Sequence, residues 1–102
     1  MVDLKKITEF EWDKGNIDKS YLKHGITIRE AEESFLDENV FLQEDIQHSE
    51  KEERFITISK TTKNKMLFSI LTIRNKKIRI ISTRSANKKE RRLYEEKIKA
   101  NP

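Results

Sequence analysis

The chain of 102 residues has no cysteine, only two glycines and a single proline, which is its last residue. Without cysteine, neither a disulfide nor a thiolate zinc site can form, and a reducing compartment is permitted. With so little glycine and proline no linker is visible, so we expect one domain covering residues 1–102. The longest apolar-rich stretch, MLFSILTI, is too short to span a bilayer. We therefore expect a soluble, cytoplasmic protein without membrane contact.

Charge is abundant but unevenly distributed. Charged residues make up 39% of the chain and hydrophobic residues 34%, yet the apolar residues fall into periodic segments, as in a small folded domain. Residues 1–51 contain 7 basic and 13 acidic side chains, a net charge of −6, whereas residues 52–102 contain 15 and 5, a net charge of +10. The second half thus predicts a basic face for a phosphate backbone or an acidic protein. The plainer alternative is a solvated, lysine-rich surface.

Hydrophobic periodicity predicts five strands and three helices. TEFEW (residues 8–12) alternates as a first strand, and apolar spacing predicts helices at residues 16–25 and 27–37. Further strands are predicted at residues 40–45, 54–62, 65–75 and 76–84. Asn87 should cap a last, basic helix. We expect an α+β fold: a small antiparallel sheet of about five strands, with two N-terminal helices packed on one face and a basic C-terminal helix.

Three arginines lie on or beside the last two predicted strands, where guanidinium groups could hold a phosphate bidentately: Arg74, Arg79 and Arg84. Arg79 alternates with isoleucines that belong in a core. Arg84 lies where strand becomes helix, close to amides that favour anions. The structural alternative is a salt bridge to one of three glutamates, Glu9, Glu11 or Glu53.

The segment HSEKEERF offers groups for proton transfer. An imidazole side chain is able to titrate near neutral pH, so His48 is, with Glu53 and Arg54, a candidate general base or acid. A loop-capping histidine is the alternative. His24 ends a predicted helix, where a structural role is favoured. No His, Asp and Glu cluster has ligand spacing, so we expect neither a metal nor a cofactor.

Further side chains are candidates for contact with RNA. Trp12 and Tyr94 could stack on bases, although such aromatics more often belong to a core. A basic run in the last helix consists of Lys88, Lys89, Arg91 and Arg92. It is a phosphate track, a solvated helix face or a docking surface for an acidic protein, and the sequence leaves these three interpretations open.

Several motifs occur in a specific order: FEWD (residues 10–13), KHGI (23–26), EAEESF (30–35), HSEKEERF (48–55) and IRIISTRSANKKERRLYEE (78–96). In these motifs the chain resembles the BrnT family, the toxin half of a bacterial type II toxin-antitoxin pair. The chain departs from the family in lacking the usual glycine at the turns of residues 63–65 and 75–77, and in carrying Thr83 where alanine is common.

The resemblance implies a RelE-like ribonuclease fold and cleavage of RNA. It also implies neutralisation by a ribbon-helix-helix antitoxin of the BrnA kind, with two copies of each chain in the complex and with DNA bound only through the antitoxin. We accordingly expect a metal-independent endoribonuclease, similar to mRNA interferases, that inhibits translation and growth. A non-catalytic nucleic-acid-binding module and an interaction subunit with the same basic face are the rival hypotheses.

Overall fold

A computed structural model describes residues 9–11, 25–45 and 53–100 of the chain. Its elements, in chain order, are β1 (Phe10–Glu11), α1 (Ile28–Ser34), β2 (Phe41–Glu44), β3 (Arg54–Lys60), β4 (Met66–Arg74), β5 (Lys77–Ser85) and α2 (Lys88–Ala100). The five strands form one sheet in the order β1-β5-β4-β3-β2. Strands β2 to β5 are an antiparallel meander, whereas β1 runs parallel to β5.

The predicted arrangement of sheet and helices is wrong in two respects. The sheet is mixed, because Phe10 and Glu11 lie opposite Ile78 and Arg79 in a parallel register; a parallel neighbour requires a long crossover, which short turns do not reveal. Within the described residues there are two helices, one mid-chain and one C-terminal, rather than two N-terminal helices on the sheet. The helix predicted at residues 16–25 lies outside the described residues.

The two faces of the sheet pack against different helices. On one face, which we call the buried face, the core contains Phe55, Leu67, Leu71, Ile78 and Ile80. Side chains from α1 and its flanks complete this cluster: Ile26, Ala31 and Phe35. On the opposite face, α2 places Tyr94 and Ile98 on a second cluster, which includes Ile58, Met66 and Phe68. The face opposite the buried face is therefore partly covered by the C-terminal helix.

Local signals in the sequence explain where α1 and the hairpins form. The predicted capping box of α1 is confirmed: Thr27 Oγ1 accepts from the Glu30 amide at 3.1 Å, and the Glu30 carboxylate accepts from the Thr27 amide at 3.2 Å. The turns without glycine use positive φ angles at Asn64 (64°), Asn75 (50°) and Lys76 (63°). Asparagine tolerates this region, but lysine is strained there.

Buried hydroxyls pair across the β4–β5 ladder. Ser69 and Thr83 lie opposite each other on the buried face, and their side-chain oxygens are 2.9 Å apart. The threonine that replaces the usual alanine thus has a hydrogen-bond partner. Neither helix in the described part of the chain is long and apolar enough to cross a membrane.

Candidate functional site

A β-bulge brings the candidate arginines to one side of the sheet. The register of β5 against β4 shifts between Ile70 and Leu71, which leaves Ile81 as an extra residue. In a regular strand, Arg79 and Arg84, five residues apart, would point to opposite faces. With the bulge they share a face. We call this side, opposite the buried face, the arginine face; by strand register its arginines are Arg54, Arg74, Arg79 and Arg84.

One row of side chains crosses the arginine face. Register places Glu11, Arg79, Thr72 and Arg54 side by side on β1, β5, β4 and β3. Because neighbouring strands are about 4.8 Å apart, the backbones at Arg79 and Arg54 are separated by about 10 Å, with Thr72 between them. Both arginines are half-buried. Arginine side chains are long enough for two guanidinium groups at this backbone separation to bind one phosphate. We call this set the arginine row.

A hydrogen bond holds Thr72 at the centre of this row, and basic side chains extend from the row to the end of the sheet. Thr72 Oγ1 donates to the Glu53 carbonyl oxygen at 2.7 Å, which ties the middle of β4 to the start of β3. The Glu53 residue itself is exposed and directly precedes Arg54 in the chain. Two residues beyond Thr72, Arg74 faces Lys77, and both are exposed. The positive charge therefore continues to this end of the sheet.

Arg84 lies at the other end of the arginine face and holds α2. Its two terminal nitrogens donate to the two carboxylate oxygens of Glu90 at 2.8 and 2.7 Å. Its guanidinium carbon lies 4.2 Å from the centroid of the Phe68 ring. Phe68, its partner in β4, is four residues from Thr72, or about 13 Å along the strand. Arg84 is thus well separated from the arginine row.

The electrostatics of this clamp agree with its geometry. The hydrogen bond to Glu90 raises the pKa of Arg84 above its ordinary value. Burial raises the pKa of Glu90, but the bonds from Arg84 and from the Asn87 amide outweigh it and lower that pKa overall. Asn87 Oδ1 accepts from the Glu90 amide at 2.9 Å, and its own amide donates to the Glu90 carboxylate at 2.9 Å. The Glu90 carboxylate therefore both caps α2 and pairs with Arg84 of the sheet.

The basic run of α2 is divided between two sides of the helix. All four of its cations, Lys88, Lys89, Arg91 and Arg92, are exposed. Helical spacing puts Leu93 beside Glu90, which faces Arg84, whereas Lys88 and Arg92 share a side that points away from Glu90. Leu93 is 38% exposed. Only part of the run can therefore continue the positive surface of the arginine face.

Tyr94, a candidate for stacking on bases, belongs to the core in this structure. It is 2% exposed, and its hydroxyl donates to Asp37 Oδ2 at 2.6 Å. The Lys60 ammonium lies 5.5 Å from the centroid of its ring. Burial, with the bond to Asp37, raises the pKa of Tyr94 far above its ordinary value. Its ring holds α2 to the sheet and is closed to a base.

Other sequence candidates lie beyond what the structure describes. Trp12, His24 and His48 are outside the described residues. On either side of the segment that contains His48, the Asp45 amide donates to the Arg54 carbonyl at 2.8 Å. Over residues 9–11, 25–45 and 53–100, no group of three or more His, Cys, Asp or Glu side chains could hold a metal ion.

Sequence reasoning missed two features of the arginine face. Thr72 interrupts an apolar strand two residues before Arg74, and this period-two polar pattern could have identified it as a member of the same face. The second feature is a row of Ser82, Ile70, Ile56 and Gln43 beside the arginine row. Its isoleucines look like ordinary core residues in the sequence, and only the bulge aligns Ser82 with them.

Comparisons with known proteins identify the family. Curated proteins give no significant match to this chain. A family described as "Ribonuclease toxin, BrnT, of type II toxin-antitoxin system" matches residues 12–90, a range that includes the three arginines of the last two strands and the Glu90 partner of Arg84. A toxin of a type II system has an antitoxin as its partner. The chain belongs to the BrnT family of ribonuclease toxins of type II toxin-antitoxin systems.

Proposed function

We propose that the arginine face binds single-stranded RNA and cleaves its backbone without a metal ion. The observation that carries this proposal is the arginine row, in which two half-buried guanidinium groups flank Thr72 on adjacent strands. Positive charge concentrated on one face of the sheet attracts a polyanion. The phosphate of RNA is an anion with the oxygen geometry that guanidinium forks recognise.

The chemistry needs three kinds of group. A base removes the proton of the ribose 2′-hydroxyl, the 2′-oxygen bonds to phosphorus, and the bond to the 5′-oxygen breaks as an acid protonates it. The products carry a 2′,3′-cyclic phosphate and a 5′-hydroxyl. Arg79 and Arg54 stabilise the charge that gathers on the phosphate oxygens. His48 and Glu53 are the proposed proton-transfer groups, and Arg74 adds positive charge at the edge.

The test of the proposal compares variants in the presence of EDTA. Purified protein is incubated with RNA, and cleavage products are mapped by length and by end chemistry. Replacing Arg79 with alanine should lower the rate about 100-fold, the scale of a lost oxyanion donor. Arg29→Ala is the matched control, because it removes the same charge from an exposed position on α1. Salt-sensitive binding without cleavage would support a binding module instead, and neither activity an interaction subunit.

The proposed part of His48 is tested by pH. If this imidazole transfers a proton, the cleavage rate of the wild type should change between about pH 5 and 8. His48→Gln should lower the rate and flatten that profile. A His48→Gln protein with the rate and profile of the wild type would assign the residue a structural role.

The antitoxin is proposed to be a BrnA-like ribbon-helix-helix dimer that blocks RNA, in a complex with two copies of each chain and with DNA bound through its own ribbon. The positive surface of the second half of the chain favours acidic or hydrogen-bonding groups on the partner. The exposed Leu93 beside Glu90 offers an apolar contact that slows dissociation. Hydrogen exchange on the complex should show protection of β4, β5 and α2. Protection confined to the acidic first half would contradict this arrangement.

In the cell, cleavage of mRNA in the cytoplasm would stop translation and growth. Induction of the wild type should therefore arrest growth, and co-expression of the antitoxin should restore it. Arg79→Ala should be harmless at equal protein levels, whereas Arg29→Ala should remain toxic. Growth arrest by the Arg79→Ala protein would separate toxicity from the proposed cleavage.

A further inference from the structure

We infer that the row of Ser82, Ile70, Ile56 and Gln43 is a nucleobase subsite, in which a base of single-stranded RNA lies on the two isoleucines. The inference rests on the proposed binding of RNA to the arginine face, and it names the part of that face that contacts the base rather than the phosphate. We call these four residues the isoleucine row.

Strand register sets the position of the isoleucine row. Gln43 faces Ile56, Ile56 faces Ile70, and Ile70 faces Ser82. The row is therefore four strands wide, or about 14 Å. On β4 it lies two residues from Thr72 of the arginine row, a distance of about 6.8 Å along the strand. A phosphate held by the arginine row and a base on the isoleucine row can thus belong to one nucleotide or its neighbour.

The exposure of these side chains is unusual for the centre of a sheet. Ile56 and Ile70 are on the inner strands β3 and β4 but are only half-buried. On the same face, Ile58 and Met66 are buried beneath α2. The helix thus covers one end of the arginine face and stops short of the isoleucine pair. Two adjacent β-branched side chains present a flat, apolar patch at that place.

The polar residues at the two ends of the row can form hydrogen bonds with the edges of a nucleobase. Gln43 and Ser82 are both exposed. A glutamine amide can donate and accept, and a serine hydroxyl can do both as well. A nucleobase has apolar faces and polar edges, so it matches an apolar floor between two such groups. An acidic peptide would use the cations of this face but has no need of the flat apolar strip.

The experiment measures binding rather than cleavage. The ligands are fluorescent RNA pentanucleotides with 2′-O-methyl groups, which cannot be cleaved through the 2′-oxygen, with one abasic residue placed at each position in turn. For the wild type, the abasic residue should weaken binding about 5-fold at one position, the factor that corresponds to burial of roughly 40 Å² of apolar surface. Fluorescence anisotropy gives each affinity.

Matched variants assign that loss to the isoleucine row. Ile70→Thr keeps a β-branched side chain and should reduce the 5-fold loss to less than 2-fold. Ile28→Thr, at an exposed isoleucine on α1, should keep the full loss. Gln43→Ala should reduce the difference in affinity between pentanucleotides that carry A, C, G or U at the sensitive position.

The outcomes separate this inference from the proposed cleavage. The subsite would be overturned, even if the protein cleaves RNA, by either of two results. In the first, an abasic residue does not weaken binding at any position. In the second, it weakens binding as much in Ile70→Thr as in the wild type. Failure of the wild type to bind any pentanucleotide would overturn it together with RNA binding. A base-dependent loss that disappears in Ile70→Thr would establish the subsite even if the chain has no ribonuclease activity.

Discussion

Breaking the Arg84–Glu90 clamp should destabilise the protein while leaving cleavage largely intact. The sequence made Arg84 a candidate for phosphate binding, but both of its terminal nitrogens donate to Glu90. It also lies about 13 Å along the sheet from the arginine row. Glu90→Ala removes the partner of Arg84 and the acceptor for the Asn87 amide. We therefore treat Arg84 as a positioning residue that holds the first turn of α2.

The expected loss in the free energy of unfolding follows from the burial of the two side chains. The side chain of Glu90 is 12% exposed and that of Arg84 is 38% exposed. Losing one partner of a fully buried pair costs about 3–5 kcal/mol, whereas an exposed pair contributes about 0.2–1 kcal/mol. Because water reaches Arg84, we expect about 1.5 kcal/mol for the pair. The lost capping acceptor adds about 0.5 kcal/mol, so Glu90→Ala should lower the free energy of unfolding by about 2 kcal/mol.

Urea unfolding of a double-mutant cycle measures the clamp. Arg84→Ala, Glu90→Ala and the double variant should give a coupling energy of about 1.5 kcal/mol. Glu95→Gln, at an exposed position of α2, is the control and should be neutral. Cleavage is then assayed at a temperature where every variant is folded. A folded Arg84→Ala protein of wild-type stability that no longer cleaves RNA would refute the positioning role.

The clamp also predicts a dependence of stability on pH. The pKa of Glu90 is lowered in the folded protein from an ordinary value of 4.5. Such a carboxylate contributes stability that is fully present above pH 4.5 and is lost as the pH falls through its lowered pKa. The wild type should therefore lose more stability below pH 4.5 than Glu90→Gln does. If the free energies of unfolding of the two proteins fall in parallel as the pH is lowered, the lowered pKa of Glu90 is contradicted.

Three further changes test other parts of the fold. Tyr94→Phe removes a buried hydroxyl that donates to Asp37, and urea unfolding should show a loss of about 1.5–3 kcal/mol. Lys76→Gly relieves a positive φ angle in the β4–β5 turn and should raise the free energy of unfolding by about 0.5 kcal/mol. Deletion of Ile81 should leave a cooperatively folded protein by circular dichroism, whereas deletion of Thr57 should not.

The sequence predicts those elements whose determinants are local. Thr27 and Asn87 cap the two described helices as expected, because each forms its bonds within three residues. The strand segments from Phe41 onward follow β-branched runs separated by short turns, which favour hairpins. The parallel partner of β1 is different, since Phe10 meets Ile78 through a crossover. No turn residue in the sequence indicates that pairing, and the alternating pattern of residues 8–12 also fits either edge of an antiparallel sheet.

The candidate site could be predicted in kind but not in arrangement. Cations in isoleucine-rich strands made Arg74 and Arg79 candidates, and the strand register places both on one face. The sequence could not show that Arg84 would meet Glu90, because a strand-to-helix turn sets the distance between them. Tyr94 was ambiguous between core and surface for a similar reason: its partner, Asp37, is distant in sequence. Tertiary contacts decide both cases.

The bulge at Ile81 places Arg84 and Ser82 on the arginine face, and its deletion is the sharpest test of the register. Arg79 and Arg84 are five positions apart, an odd number that would place them on opposite faces of a regular strand. Removing Ile81 leaves a separation of four and a regular ladder, so each remaining side chain keeps its face and the core is preserved. Thr57 lies in β3, which pairs with β4 without any shift. Its deletion reverses the faces of half a strand and should unfold the protein. If the Ile81 deletion unfolds the chain as completely as the Thr57 deletion does, then β5 is not bulged, and Ser82 and Arg84 do not share a face with Arg79.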